Sequence, residues 1–474
     1  MKDNTQNRVA DGLSACLAAL AAALLTGMMW RLRGDHGFGG SFGMYCVLTV
    51  LTLLLVWLFP RKNKVNLPFV TLAALAGAVT AGGWGTVNSQ ITGSLTATGL
   101  FPGEEAVAQI AVSPLSGVIT MLLLGFGWLP LFGMMFAFYF SDRKYHVFNA
   151  FEGAAVFYAA RYLFKFAAAP AVYKLICPQA VGLFENGLAA YGVKETPQSL
   201  LLKCMGDQSK KIAAVVSGEA MKIKIKEIPG GRNFFTCCAV LGAAFGALAL
   251  VLYFVIRFRD KKGAAITALL CCAMAAAITV PDALFLLREP QALADNKWSL
   301  WEYATGFVFG LLALRALLPF ARQKLKNNVT LFELKGLPKL IKKAVHVLSF
   351  FCTFCLAPVL VVYSRIDVQS EKAVLPAAIA AGVVAAAVTV LFTVRNKKTL
   401  SPLGKPPAQA AQLACPSLTA VFLLLYYFVG PARALEKPLS PVTVLMLAST
   451  ALCAACYTLL TVRLKSRTEA RVKS

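Results

Sequence analysis

Residues 233–287 read NFFTCCAVLGAAFGALALVLYFVIRFRDKKGAAITALLCCAMAAAITVPDALFLL. They form two apolar runs, 233–256 and 264–287, joined by Arg257-Phe258-Arg259-Asp260-Lys261-Lys262. At about 1.5 Å of rise per residue, a helix over either run is longer than the roughly 30 Å hydrocarbon core of a bilayer. A connector with four basic side chains cannot follow those runs into the core, so it marks an interface. The pattern predicts two membrane helices turning back on each other through a basic loop.

Working outward, the same grammar recurs along all 474 residues. Apolar runs lie near 12–30, 41–60, 67–88, 114–140, 146–169, 233–256, 264–287, 299–320, 344–364, 373–394, 412–430 and 440–462. Seven connectors (the N-terminus, 61–64, 141–145, 257–262, 322–343, 395–405 and the C-terminal tail) hold 27 Lys and Arg against six acidic residues. The short loops that alternate with them hold eight basic and eight acidic residues. Positive charge resists translocation, so the basic side is cytoplasmic and both termini lie there. One missed or invented helix would scramble the alternation. The fold class expected is therefore an all-α polytopic integral membrane protein of about twelve helices, N-in and C-in, in the cell (plasma) membrane. It divides into helices one to five (1–169), an extracytoplasmic segment (170–232) and helices six to twelve (233–474).

Composition agrees: 58% of residues are apolar, 15% are charged, and the mean hydropathy is +0.67. A soluble domain cannot bury that fraction. The net charge of +25 sits at the ends of apolar runs, where it meets anionic lipid, so the bilayer rather than nucleic acid is the partner it implies. The run after Lys2 and Arg8 is long enough to span and leads into Trp30-Arg31 rather than a small-residue cleavage site, which reads as an uncleaved first helix. Of the thirteen cysteines, eleven fall inside predicted spans, where the residue packs as a small apolar group. Cys177 and Cys204 share the hydrophilic segment, and a disulfide between them is left open.

Within 170–232, Thr196-Pro197 has the form of an N-cap followed by proline at the first helical position, opening a short helix through Leu202. Met221 to Ile228 alternate apolar and charged residues. With Ile212–Val216 and a Ser217-Gly218 turn they predict a β-hairpin. Its Lys222, Lys224 and Lys226 face either lipid headgroups or an anionic ligand, or simply water, and the solvated face is the simpler reading.

The densest polar feature is Trp30-Arg31-Leu32-Arg33-Gly34-Asp35-His36-Gly37-Phe38-Gly39-Gly40, on the side that otherwise lacks excess positive charge. Glycines permit unwound backbone, and two guanidiniums can grip a carboxylate or phosphate bidentately. Asp35 and His36 can exchange protons. The simpler alternative is a tight turn whose arginines reach headgroups. Three other span ends on that side add Trp84, Asn88 and Gln90, then Asp282, then Glu302 behind Trp298 and Trp301. Gly306 and Gly310 share the Glu302 face and would admit a second helix closely. These ends together predict a shared hydrophilic cavity. Arg161 lies near the middle of the fifth span and needs a counter-charge from elsewhere, at a cost of at least about 2.5 kcal/mol without one. Gly125, Gly127 and Pro130 interrupt the fourth span, as a hinge or a repaired kink.

No phosphate-binding loop, zinc-ligand spacing or hydrolase elbow occurs, so no metal and no cofactor is expected. Trp30-Arg31-Leu32-Arg33-Gly34 with Gly37 resembles a tryptophan–x–aliphatic–arginine–glycine signature of uncharacterised bacterial multi-pass membrane proteins. The stretch from Trp301-Glu302 to Gly310 is similar to a second region of that group. The resemblance implies that these two places share one site and implies no substrate.

The function expected is transport: a secondary transporter or flippase-like carrier for a small anionic solute or lipid-linked precursor. Arg31, Arg33, Trp84, Asn88, Gln90 and Arg161 would bind substrate, and Asp35, His36, Asp282 and Glu302 would couple protons. A membrane-embedded transferase acting on an extracytoplasmic or lipid-linked substrate, with His36 or Asp35 as general base, is the alternative.

Overall fold

The computed structural model describes residues 12–35, 41–59, 67–81, 96–285, 297–322, 338–354 and 441–473, and residues 380, 383, 384 and 387 singly. It is mostly helical. In chain order the helices of the first part are α1 (Gly12–Asp35), α2 (Ser41–Leu58), α3 (Leu67–Ala81), α4 (Pro114–Phe126), α5 (Pro130–Phe140) and α6 (Val147–Ala167). Three short helices follow: α7 (Ala169–Ile176), α8 (Pro178–Ala190) and α9 (Pro197–Lys203). Then come α10 (Gly231–Phe258), α11 (Lys261–Phe285), α12 (Lys297–Arg322), α13 (Lys339–Phe354) and α14 (Pro441–Lys473).

Among the described residues, four helices are long and apolar enough to cross a membrane: Gly12–Arg31, Gly231–Phe258, Lys261–Leu284 and Leu300–Ala321. The pair α4 and α5, bent by 47° at their break, counts as a fifth if taken as one broken span. This is what an all-α membrane protein requires. Gly43–Leu58, Phe69–Thr80 and Val444–Leu460 are apolar but shorter. The helix predicted at 412–430 lies outside the described residues, as does all of 373–394 except the four single positions.

Two local reasons shape the bundle. Residues 43–59 of α2 and its exit are buried without exception, the mark of a helix enclosed on every side. Tyr45 bonds the Cys352 carbonyl of α13 at 2.9 Å, and Trp57 meets Tyr457 of α14 at 4.8 Å. The break between α4 and α5 falls where Gly125 and Gly127 press against neighbours. A Cβ on Gly125 would lie 2.5 Å from the Ala275 backbone, and one on Gly127 would lie 2.7 Å from Ala243. Pro130 then starts α5 without needing an amide partner. The interruption is thus a seat for α10 and α11.

The segment 169–230 forms a cap with its own apolar core, including Tyr173, Phe184, Leu188, Leu200, Ile212, Ile223 and Ile225, closed onto Phe234 and Phe235 of α10. Thr196 caps α9 as its sequence implies, accepting from the Ser199 amide at 3.2 Å. The hairpin is present as β3 (Lys211–Val216) against β4 (Glu219–Lys224), antiparallel, with Ile212 opposite Ile223. Lys226 belongs to a following 3-10 turn, not to the strand. Sequence reading missed α7 and α8, although Pro170 and Pro178 stand at their starts. It also missed a small hairpin of β1 (Thr96–Gly99) and β2 (Ala108–Ala111), tied to α10 by Asn233 donating to the Thr96 carbonyl at 2.6 Å. The Cys177–Cys204 disulfide is not formed. Both are free thiols buried in the cap core, where they pack as apolar side chains.

Candidate functional site

Close packing of α1 on α12 builds the site. A Cβ on Gly306 would fall 2.5 Å from the Thr26 carbonyl, and one on Gly310 would press the Ala22 carbonyl. Gly27 faces Tyr303 in the same way, at 3.1 Å. Small residues on both helices let the backbones touch, and the helices run antiparallel with Arg31 meeting Glu302. The expected small-residue stripe on α12 is therefore real, and it turns Glu302 inward.

Arg31 Nη1 donates to Glu302 Oε2 at 3.0 Å, and Arg33 Nη2 faces Glu302 Oε1 at 3.9 Å. The side chains are 8%, 1% and 0% exposed for Arg31, Arg33 and Glu302 respectively. Arg33 stacks over Trp30 at 5.2 Å, and Trp30 in turn stacks on Trp128 at 6.1 Å. Among the described residues, no nitrogen of the Arg33 guanidinium completes a hydrogen bond. That leaves a buried, donor-rich cation held by one distant carboxylate and a ring face, an arrangement that is costly unless something else satisfies it.

Asp282 lies near the end of α11, wholly buried, with Pro281 beside it. The Trp301 indole faces its carboxyl, and neither Asp282 oxygen completes a hydrogen bond among the described residues. Trp301 precedes Glu302 on α12, so the same helix start supplies the indole facing Asp282 and the carboxylate facing the arginines. Tyr303 shares its hydroxyl hydrogen bond with Ser449 at 2.6 Å and fixes α12 against α14.

The cavity expected from sequence takes a closed form here: Arg31, Arg33 and Glu302 converge, but packed rather than open to the surface. Only the first part of the turn expected over residues 30–40 is corrected, since 36–40 lie outside the described residues. Trp30 to Asp35 continue α1, because the contacts of Arg31 and Arg33 with α12 favour one more helical turn. Asp35 ends that helix. His36, Trp84, Asn88 and Gln90 lie outside the described residues. Arg161 is not brought to the cluster. It sits on α6, which packs along α10.

A third buried carboxylate, unforeseen from sequence, stands at the end of α11 opposite Asp282. Asp260 Oδ2 accepts from Ser141 at 2.7 Å and from Tyr145 at 2.6 Å, while Oδ1 accepts from the Gly263 amide at 2.9 Å. Burial pushes this carboxyl upward, but the bonds from Tyr145, Gly263 and Ser141 outweigh it and hold Asp260 below its ordinary value. Burial and the neighbouring Asp260 together push the Tyr145 hydroxyl up. Arg259, at φ +50°, ends α10 and lets Asp260 cap α11 two residues later. Asp142–Lys262 at 3.9 Å and Glu152–Arg257 at 3.2 Å add ion pairs around this turn. The connector that decides the fold in sequence is thus also clamped by polar bonds. A serine and a tyrosine just after a predicted span were the available signal.

No family model, no curated protein and no solved structure matches this chain. Fold and site define a class: a mostly helical chain with spans long enough for a bilayer and ionisable side chains sealed between them. Ionisable groups so placed are uncommon and functional by default.

Proposed function

We propose that the protein is a polytopic carrier of about twelve spans, with both termini cytoplasmic, in the cell membrane of a bacterium. It moves an anionic solute or lipid-linked precursor in exchange for, or together with, protons. Arg33 supports this reading most directly, since a buried guanidinium that completes no hydrogen bond among the described residues is suited to receive a carboxylate or phosphate. Glu302 makes its close contact with Arg31 at 3.0 Å and lies 3.9 Å from Arg33, so Arg33 keeps its donors for the anion. Asp282, sealed without a hydrogen bond, exchanges its proton only when water or a cation approaches. That dependence ties proton movement to the opening of the site. The sealed arrangement corresponds to an occluded state, and alternating access would come from helix groups rocking around it.

The test uses purified full-length protein in liposomes with an interior pH dye. Succinate, inorganic phosphate and glycerol phosphate serve as solute probes, and a fluorescent phosphatidylglycerol serves the flippase arm. Wild type is expected to couple proton movement to one of these anions, with R33Q and D282N each losing the coupling. Anion movement undiminished in R33Q rejects the reading. Reporters fused after residues 230 and 474 should read outside and cytoplasm respectively, and the reverse overturns the orientation.

A further inference from the structure

Arg161 and Lys165 lie one helical turn apart on α6, so their side chains are neighbours. They occupy the face of α6 that packs over the small residues of α10. A Cβ on Gly242 would lie 2.6 Å from the Arg161 carbonyl and 2.9 Å from the Lys165 Cβ, and Gly246 meets Phe157 in the same way. Lys165 is 7% exposed. Arg161 Nε is buried and makes no hydrogen bond among the described residues. Rings surround both cations: Tyr158 and Tyr162 each lie 5.9 Å from the Arg161 guanidinium, and Phe166 lies 5.1 Å from the Lys165 ammonium. Tyr158, Tyr162 and Phe166 stack in a ladder beside them, at 6.3 and 6.4 Å.

Two like charges in such proximity repel, and no carboxylate within ion-pair distance offsets them among the described residues. Asp207 of the cap, whose charge acts on Lys165, is engaged by the Ser209 amide at 2.9 Å. Ring faces stabilise a cation by only about 0.5–2 kcal/mol, which does not offset a buried ammonium beside a half-buried guanidinium. An anion with at least two acceptor oxygens would. Its source is indicated by the flanking surface, which is apolar and outward: Tyr162 and Leu163 of α6 are 48% and 71% exposed, and Phe245 and Leu248 of α10 are 39% and 46% exposed. A free solute needs no such surface, whereas an acyl chain does.

We propose that Arg161 and Lys165 bind the phosphate of a membrane lipid in the groove between α6 and α10, beneath the cap. Arg161 and Lys165 stand six and two residues before the end of α6 at Ala167, about 9 Å and 3 Å along the axis, so both side chains reach toward the end of the helix where the cap begins. The groove shares no residue with the Arg33–Asp282 site, so the two can fail separately.

The experiment is native mass spectrometry of the full-length protein from detergent, titrated with phosphatidylglycerol or with inorganic phosphate. Thermal unfolding is followed in parallel. Wild type is expected to retain one phosphatidylglycerol and to gain thermal stability from it, while inorganic phosphate does neither. R161Q and K165Q should each weaken retention roughly tenfold, the loss of one charge-assisted contact. R161K, which keeps the charge and the fold but loses the fork, should fall between them and wild type. Retention unchanged in R161Q and K165Q overturns the site. Equal protection by inorganic phosphate overturns the assignment to a lipid. If R161Q and K165Q do not fold, full retention in R161K together with equal binding of an uncharged diacylglycerol also overturns it.

Discussion

The two ends of α11 bury carboxylates in opposite ways. At its start, Asp260 receives three hydrogen bonds from Ser141, Tyr145 and Gly263. Near its finish, Asp282 is buried more completely and completes none among the described residues. One helix and one buried residue type thus give a structural clamp and an unsatisfied group. A buried polar atom with all its partners rigidifies a fold, and one without them is a standing cost that packing alone would have removed. The contrast assigns stability to the 257–263 turn and chemistry to the α1–α11–α12 end.

Substitutions test that assignment in descending size. Glu302→Gln should cost most, about 3–5 kcal/mol of unfolding free energy, because it strips the counter-charge from two buried arginines. Chemical unfolding in detergent would measure it, and a loss below about 1 kcal/mol would show that Arg31 and Arg33 are balanced elsewhere. Asp260→Ala should follow at about 3 kcal/mol, from two charge-assisted bonds and a helix cap. In the same assay Asp282→Ala should lie within about 1 kcal/mol of wild type or above it, since no hydrogen bond is lost. Equal losses at 260 and 282 would break the comparison.

The smallest effect sharpens it. Tyr145→Phe removes one bond to Asp260 and should cost about 1–2 kcal/mol at neutral pH. The Asp260 carboxyl is held below its ordinary value in the folded protein, so its stabilisation is present above the unfolded value of about 3.9. That stabilisation is lost as pH falls through the folded value. The gap between wild type and Y145F should therefore be full at pH 7 and close below about pH 4. Tryptophan fluorescence across an acid titration reads this directly, and a gap independent of pH would mean that Tyr145 acts through packing instead.

Particular residues show how much was legible beforehand. Thr196-Pro197 announces α9, and alternation over 221–226 announces β4, because caps and strand periodicity are local. Gly306 and Gly310 announced a close helix neighbour without saying which. Arg31, Arg33 and Glu302 were marked as ionisable groups at span ends, and the meeting of Arg31 with Glu302 spans a sequence separation of 271 that no local pattern encodes. The same limit explains the errors. Helical continuation through Gly34 depends on contacts with α12, and the separation of Arg161 from the cluster depends on α6 choosing α10 as its neighbour. Cys177 and Cys204 share a segment without forming a bond.

The order of apolar runs and basic connectors determined by itself that this chain builds long apolar helices, because hydration of charge and length of helix act residue by residue. Which cation meets which carboxylate was decided only in the tertiary structure. Glycine contacts between α1 and α12 set that distance, and burial rather than sequence decides whether a carboxyl such as Asp260 or Asp282 finds donors to satisfy it.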